Sequence, residues 1–480
     1  MPHIVCIGRL GERIVRQQRN RRGCESGGWR RHAALWLSAL LLALVLAGCS
    51  EDRREQPAKV HLKVLDSNEY GFNMMYGDYV NAAFPNVEVE VVPMGEANSY
   101  KLSLKDRIQK MKTLIATEQP DLIMLSDDSM YRALADEGML GELSAYLTAE
   151  PELEKHIHPG VMEQMRNARN GELYGLSTDI SAQLLYYNQD LFDNLGVDPP
   201  QDGMTWDDLL KLAQRITQAS PSADGAIGFL PDFTGPSGLA SLIALTEGLG
   251  IFPYRASAGL MLADTPSWRH IFKTALEAYQ ADVFRTKGSD AGSLNQPAAS
   301  GGDAGQRDWF TEGRAGMVIA NYGSYAGVPF KLGAVAPPVD DATRSRSYGF
   351  GSSFTMSIRA GSPLAKESWD IVAFMMSDYV AKVRAGLGAD YRGSFPSNAT
   401  YADHAREPFV ASIYRQLPSF VPDENGAALS GPAYKEMNDL VRLEMDEALA
   451  GRQSFDEMIE RMQTQGQQLL ERDRRSGEKQ

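Results

Sequence analysis

The sequence predicts an α/β fold in two or three domains, and three observations carry that expectation. Short apolar or alternating runs recur between helical stretches, several helix starts bear capping signatures, and 480 residues at 43% hydrophobic and 23% charged can build sizeable cores. Val60 to Leu65 (VHLKVL) alternates weakly and reads as a first strand. A helical stretch follows from about Asn73 to Phe84, and Pro85-Asn86 turns the chain. Val87 to Val92 (VEVEVV) alternates almost strictly, so one face of that strand should be buried. A helix is expected within 99–117, after which Pro120-Asp121 introduces the apolar strand Leu122 to Leu125. Strands and helices alternating at this spacing suit a largely parallel sheet.

Further along, Thr205-Trp206-Asp207-Asp208 sets a hydroxyl three residues before a carboxylate and opens the helix DDLLKLAQRI. Ser362-Pro363 puts proline at a first helical position, and Ser454-Phe455-Asp456-Glu457 is a full capping box for the last helix. Apolar spacing in these helices is helical, so Trp206, Trp369, Phe374 and Met375 are expected in the core. Asn295 to Gln306 reads as a small-residue surface loop, and the final ERDRRSGEKQ as a solvated, fraying tail.

Charge narrows the function. Residues 1–48 hold eight arginines and two glutamates, so the rest of the chain carries 40 basic and 60 acidic residues, a net charge of −20. A body that acidic repels a phosphate backbone and a bare anionic membrane, which argues against nucleic-acid binding. The three cysteines are Cys6, Cys24 and Cys49; nothing after position 49 can form an internal disulfide, a thiolate metal site or a cysteine nucleophile.

The N-terminal region reads as an address. Trp29-Arg30-Arg31-His32 precedes an uncharged run from Ala33 to Leu46, which as a helix spans about 21 Å, short of the ~30 Å hydrocarbon core. Basic flank, short apolar run and small residues make 1–48 a signal peptide, with 1–28 as a possible misplaced start. Leu46-Ala47-Gly48-Cys49 resembles the bacterial lipobox, which implies acylation at Cys49 and a lipid-anchored mature protein. Residues 49–58 would then be the lipidated tether.

Catalytic patterns are scarce. No body serine sits in G-x-S-x-G, no phosphate loop is present, and Gly349-Phe350-Gly351 lacks the third glycine of a dinucleotide loop, so no cofactor is expected. His156-Ile157-His158 reads as a solvated turn before Pro159 rather than a metal site. Asp127-Asp128, after an apolar strand, can cap the following helix or accept ligand hydroxyls, and the two roles are compatible.

Phe84-Pro85-Asn86-Val87-Glu88-Val89, Pro120-Asp121-Leu122-Ile123 with Leu134 to Leu140, Leu173-Tyr174-Gly175-Leu176 followed by Tyr187 to Phe192, Thr205-Trp206, Phe310 to Met317 and Gly451 to Ser454 share an order. In that order and spacing they resemble the solute-binding proteins of ATP-binding-cassette importers, in the group of the maltose-binding proteins. Ser177 departs from the family's usual proline. The resemblance implies a two-lobed periplasmic-binding-protein-like fold with a ligand cleft between lobes joined by crossing hinge strands. Lobe 1 would hold 59–178 with 346–400, and lobe 2 would hold 179–345 with 401–475.

It also implies a site. Asp66, Ser67 and Asn68 align with a ligand loop, Asp128, paired with the further candidate Asp127, with a sugar-binding acidic position, and Asp179 and Ser181 with the segment entering lobe 2. Asn321-Tyr322 and Tyr434 fall near aromatic positions of relatives, and Trp309 is a candidate stacking residue beside the packing residue Phe310. Such a pocket suits sugars, whose C–H faces stack on rings while hydroxyls bond to carboxylates. The expectation is a monomeric, non-enzymatic lipoprotein that binds an oligosaccharide on the extracellular or periplasmic face and passes it to a membrane permease. The alternatives are a polyamine, peptide or polyol ligand, a surface glycosidase, and a sensory or adhesive lipoprotein without a permease.

Overall fold

Where alternation in the sequence is strong, the chain forms strands. The computed structural model describes residues 58–477, except 100, 101, 103, 168, 221–224, 256–257, 285–308, 326, 388–393, 405–408 and 420–428. The signal peptide, Cys49, the tether and the Asn295–Gln306 loop therefore lie outside the described residues. The first strands are β1 (Val60–Asp66), β2 (Val87–Pro93), β3 (Leu122–Leu125) and β4 (Leu176–Asn188). Next come β5 (Ile227–Leu230), β6 (Tyr254–Arg255), β7 (Leu260–Met261), β8 (Ala315–Asn321) and β9 (Leu332–Val335). The last are β10 (Arg346–Ser347), β11 (Phe350–Ile358), β12 (Ser394–Pro396) and β13 (Leu417–Pro418).

One nine-stranded sheet organises residues from Lys59 onward, in the order β2-β1-β3-β11-β4-β8-β5, with β9 and β12 also pairing with β4. The expected parallel character is confined to β2-β1-β3 and to β5-β8. Between them, β11 runs antiparallel to β3 and β4, and β4 antiparallel to β8, β9 and β12, so the sheet is mixed. β2 lies at an edge: Val87 is buried and Val89 and Val91 partly so while Glu88 and Glu90 stay exposed, as its alternation requires, and Val92, on the glutamate face, is buried as well. β3 is interior and all four of its residues are buried.

β4 is the connector. Leu176, Ile180, Ala182, Leu184 and Tyr186 belong to one hydrophobic core, built mainly on β1, β3 and β11. Leu185, between two of them, belongs to a second core formed with Trp206, Phe229, Trp268, Met317 and the two final helices. The period of two in a strand lets one element serve both cores from opposite faces.

Helix starts follow local chemistry with one exception. Thr205 forms a complete capping box with Asp208 at the helix Trp206–Ala219, and Trp206 is buried with its indole N–H donating to the Thr246 hydroxyl at 3.0 Å. The Ser454 hydroxyl accepts the Glu457 N–H at 3.2 Å, and the Glu457 carboxylate accepts the Ser454 N–H at 2.8 Å. The exception is Ser362-Pro363: the Ser362 hydroxyl accepts the Leu364 N–H at 3.1 Å and donates to the Asp121 carboxylate at 2.6 Å, but the helix Ala365–Met375 begins three residues later, so Pro363 is not its first residue. Trp369 and Met375 are core residues, while Phe374 is partly buried against the core. The expected fraying tail is helical through 477, because the helix Phe455–Gly477 continues into it with its charged side chains exposed.

Candidate functional site

The carboxyl ends of β1 and β3 and the first half of β11 share one edge of the sheet. The β1–β3 register sets Leu65 opposite Ile123, and the β3–β11 register sets Leu125 opposite Thr355. Asp66-Ser67-Asn68, Ser126-Asp127-Asp128 and 352–354 therefore leave neighbouring strands on the same side. Crevices outside the carboxyl ends of strands are where open α/β sheets bind ligands.

Sequence candidates on this edge differ in what they are already bonded to. Asn68 caps the short helix Glu69–Phe72 by accepting the Gly71 N–H at 2.8 Å. The Ser67 hydroxyl accepts from the Asn98 amide at 3.0 Å. Asp66 accepts the Ser67 N–H at 2.5 Å, and burial pushes its carboxyl up to about 6 despite that bond. Asp127 caps the helix Asp128–Asp136 through the N–H groups of Ser129 and Met130, and pairs with buried Arg107 at 2.9 Å. Asp128 accepts from Gln164 at 3.3 Å and from the Ser352 hydroxyl at 3.4 Å, while Gln164 accepts the Ser352 N–H at 2.8 Å. On β4, the Ser181 hydroxyl is exposed and lies 3.4 Å from the Gly351 carbonyl.

Other candidates have different surroundings. Asp179 is fully buried and accepts from Arg384, from the Ser394 hydroxyl at 2.7 Å and from the Thr178 hydroxyl at 2.6 Å. Tyr322 is buried, its ring 4.7 Å from Phe395 and 5.7 Å from Phe409. Asn321 is exposed at the end of β8, opposite Gln183. The Arg314 guanidinium covers the Trp309 ring at 3.9 Å. Tyr434 lies edge-on to Phe252 at 5.1 Å, on the helix Gly431–Leu449 of the second core. The turn read as solvated holds a buried histidine: His158 Nε2 is 2.9 Å from the Tyr414 carbonyl, Nδ1 accepts the Gly160 N–H, and burial lowers its pKa. Among the described residues no group of three acidic, histidine or cysteine side chains could hold a metal ion.

Sequence reasoning missed a second set of groups. A cavity of about 130 Å³ beyond the end of β5 is lined by Gln183, Trp206, Asp232, Ile319, Tyr348 and Gly349, among others. The walls around Asp232 raise its pKa by desolvation although the residue keeps contact with solvent. Tyr348 is 47% exposed. A signal existed: Asp232 follows the apolar run Ile227–Leu230 much as Asp127 follows Leu122–Leu125. Gln183 bridges the two regions, since the Gly349 carbonyl accepts its N–H at 2.6 Å beside Ser181 and Gly351. The combined edge and cavity present carboxylates, amides and hydroxyls with aromatic faces, an arrangement suited to holding a polyhydroxylated solute.

Residues 71–382 match the family of bacterial extracellular solute-binding proteins. The chain belongs to that family. A sugar transporter from Rhizobium etli, solved in an open conformation, superposes with a TM-score of 0.58 at 17% identity, covering 85% of this chain and 99% of that one. The sugar-binding protein MalE from Xanthomonas citri superposes with a TM-score of 0.56 at 16% identity, covering 88% and 100%. The fold is therefore the two-lobed α/β fold of these proteins. The arabinooligosaccharide-binding protein of Bacillus subtilis is 35% identical over 60 residues, 12% of this chain and 14% of that protein. The match thus spans about a seventh of that relative's length. Among the described residues no helix is long and apolar enough to cross a membrane.

Proposed function

We propose that this solute-binding protein takes up a carbohydrate, in the first place an oligosaccharide, and presents it to the permease of an ATP-binding-cassette importer. The observation that carries the reading is the run of bonding groups from Asp128, Gln164 and Ser352 through Ser181 and Gln183 to the cavity at Asp232 and Tyr348. The run combines hydroxyl partners with aromatic surface. The likeness to a sugar transporter, a sugar-binding protein and an arabinooligosaccharide-binding protein supports it. Acylation at Cys49 would hold the protein at the membrane surface, with lobes divided near residues 178 and 345. Ligand would drive closure through its greater affinity for the closed state, with no covalent step.

A cationic ligand is the second reading, favoured by Asp66, for which no ion pair is found among the described residues. A thermal-shift screen of the full chain against oligosaccharides, monosaccharides, polyamines and short peptides decides between them. Ligand at 1,000 times its dissociation constant adds about 4 kcal/mol of stability, a shift of several degrees. We expect that shift from an oligosaccharide recovered intact. A shift from polyamines alone replaces the sugar with a cation, and consumption of the saccharide makes the protein a hydrolase.

A further inference from the structure

Four non-glycine residues among those described have positive φ: Gln119, Asp282, Arg344 and Phe354. Phe354 is the one with an apolar aromatic side chain, at φ 58°, and it lies inside β11 rather than in a turn. Left-handed backbone is unfavourable at a bulky residue and persists where surrounding structure imposes it. An inserted residue does not explain it here. The β11–β4 register passes through without a slip, with Ser353 opposite Asp179 and Thr355 opposite Ser177. The flanking backbone is held instead by a hydroxyl of β4: Ser177 donates to the Ser353 carbonyl at 2.5 Å.

The strained backbone does not serve the core. Residues 355–358 are buried, yet the Phe354 ring is 37% exposed. The strain opposes folding and a ring left partly exposed returns only part of its burial energy, and the two coincide at one residue on the ligand-side edge. Its neighbours there are polar. Ser352 bonds to Asp128 and Gln164, and the Ser353 hydroxyl is shielded from water without a hydrogen-bond partner. An exposed ring on the strand that also carries Ser352, bonded to Asp128 and Gln164, suits a pyranose, which has an apolar C–H face and a rim of hydroxyls.

We propose that Phe354 is the platform on which a sugar ring of the ligand stacks, with Asp128 on the same edge taking a ligand hydroxyl. This rests on the carbohydrate reading above. The test compares the wild-type full chain with Phe354→Gly and Phe354→Trp, using thermal midpoints and calorimetric titration with maltotriose, mannotriose and arabinotriose. Glycine accepts φ 58° without strain, so Phe354→Gly should keep or raise the midpoint while weakening saccharide binding at least tenfold. Phe354→Trp should bind within about threefold of wild type, because its larger π-face preserves stacking. Opposite movement of stability and affinity is what a packing role would not produce.

Wild-type affinity in Phe354→Gly overturns the platform and leaves the carbohydrate reading standing. A lowered midpoint with unchanged affinity likewise makes Phe354 structural. If none of the three saccharides binds the wild type while a polyamine does, the carbohydrate reading falls and the platform with it.

Discussion

Asp179, in the middle of β4, and Asp66, at the carboxyl end of β1, are both strand-borne acids that sequence points to as ligand contacts. Their surroundings separate them. Asp179 is enclosed between β11 and β12 and takes hydrogen bonds from Arg384, Ser394 and Thr178. Asp66 takes the single N–H of Ser67 among the described residues, and burial raises its pKa rather than lowering it. A carboxylate has about four acceptor positions. Those of Asp179 are largely used by the protein, while most of those of Asp66 are not. The comparison teaches that an acid near a ligand edge is a candidate contact only to the extent that the fold leaves its lone pairs unused.

The largest effect should come from breaking the enclosed pair. Arg384→Ala would leave Asp179 ionised and buried without its cation, a change that costs about 3–5 kcal/mol. The measurement is the urea midpoint of the full chain, with the thermal midpoint alongside. Replacing both charges, Asp179→Asn with Arg384→Met, should come closer to wild type than Arg384→Ala alone, because the desolvation of two ions is removed as well. A cost below about 1 kcal/mol for Arg384→Ala would show that water reaches Asp179, and the contrast with Asp66 would collapse.

A smaller effect divides the neighbours Asp127 and Asp128. Asp127→Ala removes both the helix cap and the contact to Arg107, and should cost about 2 kcal/mol in the same urea assay. Asp127→Asn keeps a capping oxygen and should cost about half as much. Asp128, whose bonds to Gln164 and Ser352 are 3.3 and 3.4 Å long, should change stability little when replaced by asparagine but weaken ligand binding about tenfold. Equal loss of binding at both positions would put Asp127 in the site despite its cap.

These cases show how far the residues alone can be read. β2 and β3 were legible because alternation and a short apolar run report burial of one face or two, which depends on neighbouring residues only. Thr205 and Ser454 were legible because a capping box closes within four residues. The helix after Ser362-Pro363 starts two residues later than its proline suggests, with the Ser362 hydroxyl also tied to Asp121, 241 positions away. The fixing of Asp179 was hidden because Arg384 is 205 residues distant. Left-handed backbone at Phe354 arises from contacts with β4 and leaves no mark in local composition. The mixed direction of the sheet also escaped notice, since the order of strands in sequence does not set which of them become neighbours.

The last prediction concerns Asp66 itself, and its sign is opposite to that of the enclosed pair. With a folded pKa near 6 against an ordinary 3.8, the native protein keeps a proton that the unfolded chain has released. Stability from this group is present at low pH and is lost as pH rises from about 4 through 6. Asp66→Asn stays neutral throughout, so its stability relative to wild type should improve across that window and level off above it. Urea midpoints of both proteins at pH 4.5, 5.5, 6.5 and 7.5 measure this directly. A difference that stays constant or shrinks with pH would mean that Asp66 is well hydrated or paired. If a saccharide donates hydroxyls to Asp66, it favours the ionised form and pulls the pKa down, so binding near pH 6 should release protons. Titrations in buffers of different ionisation enthalpy detect that release, and it should vanish in Asp66→Asn. A purely structural carboxylate, like Asp179, would release none in either protein.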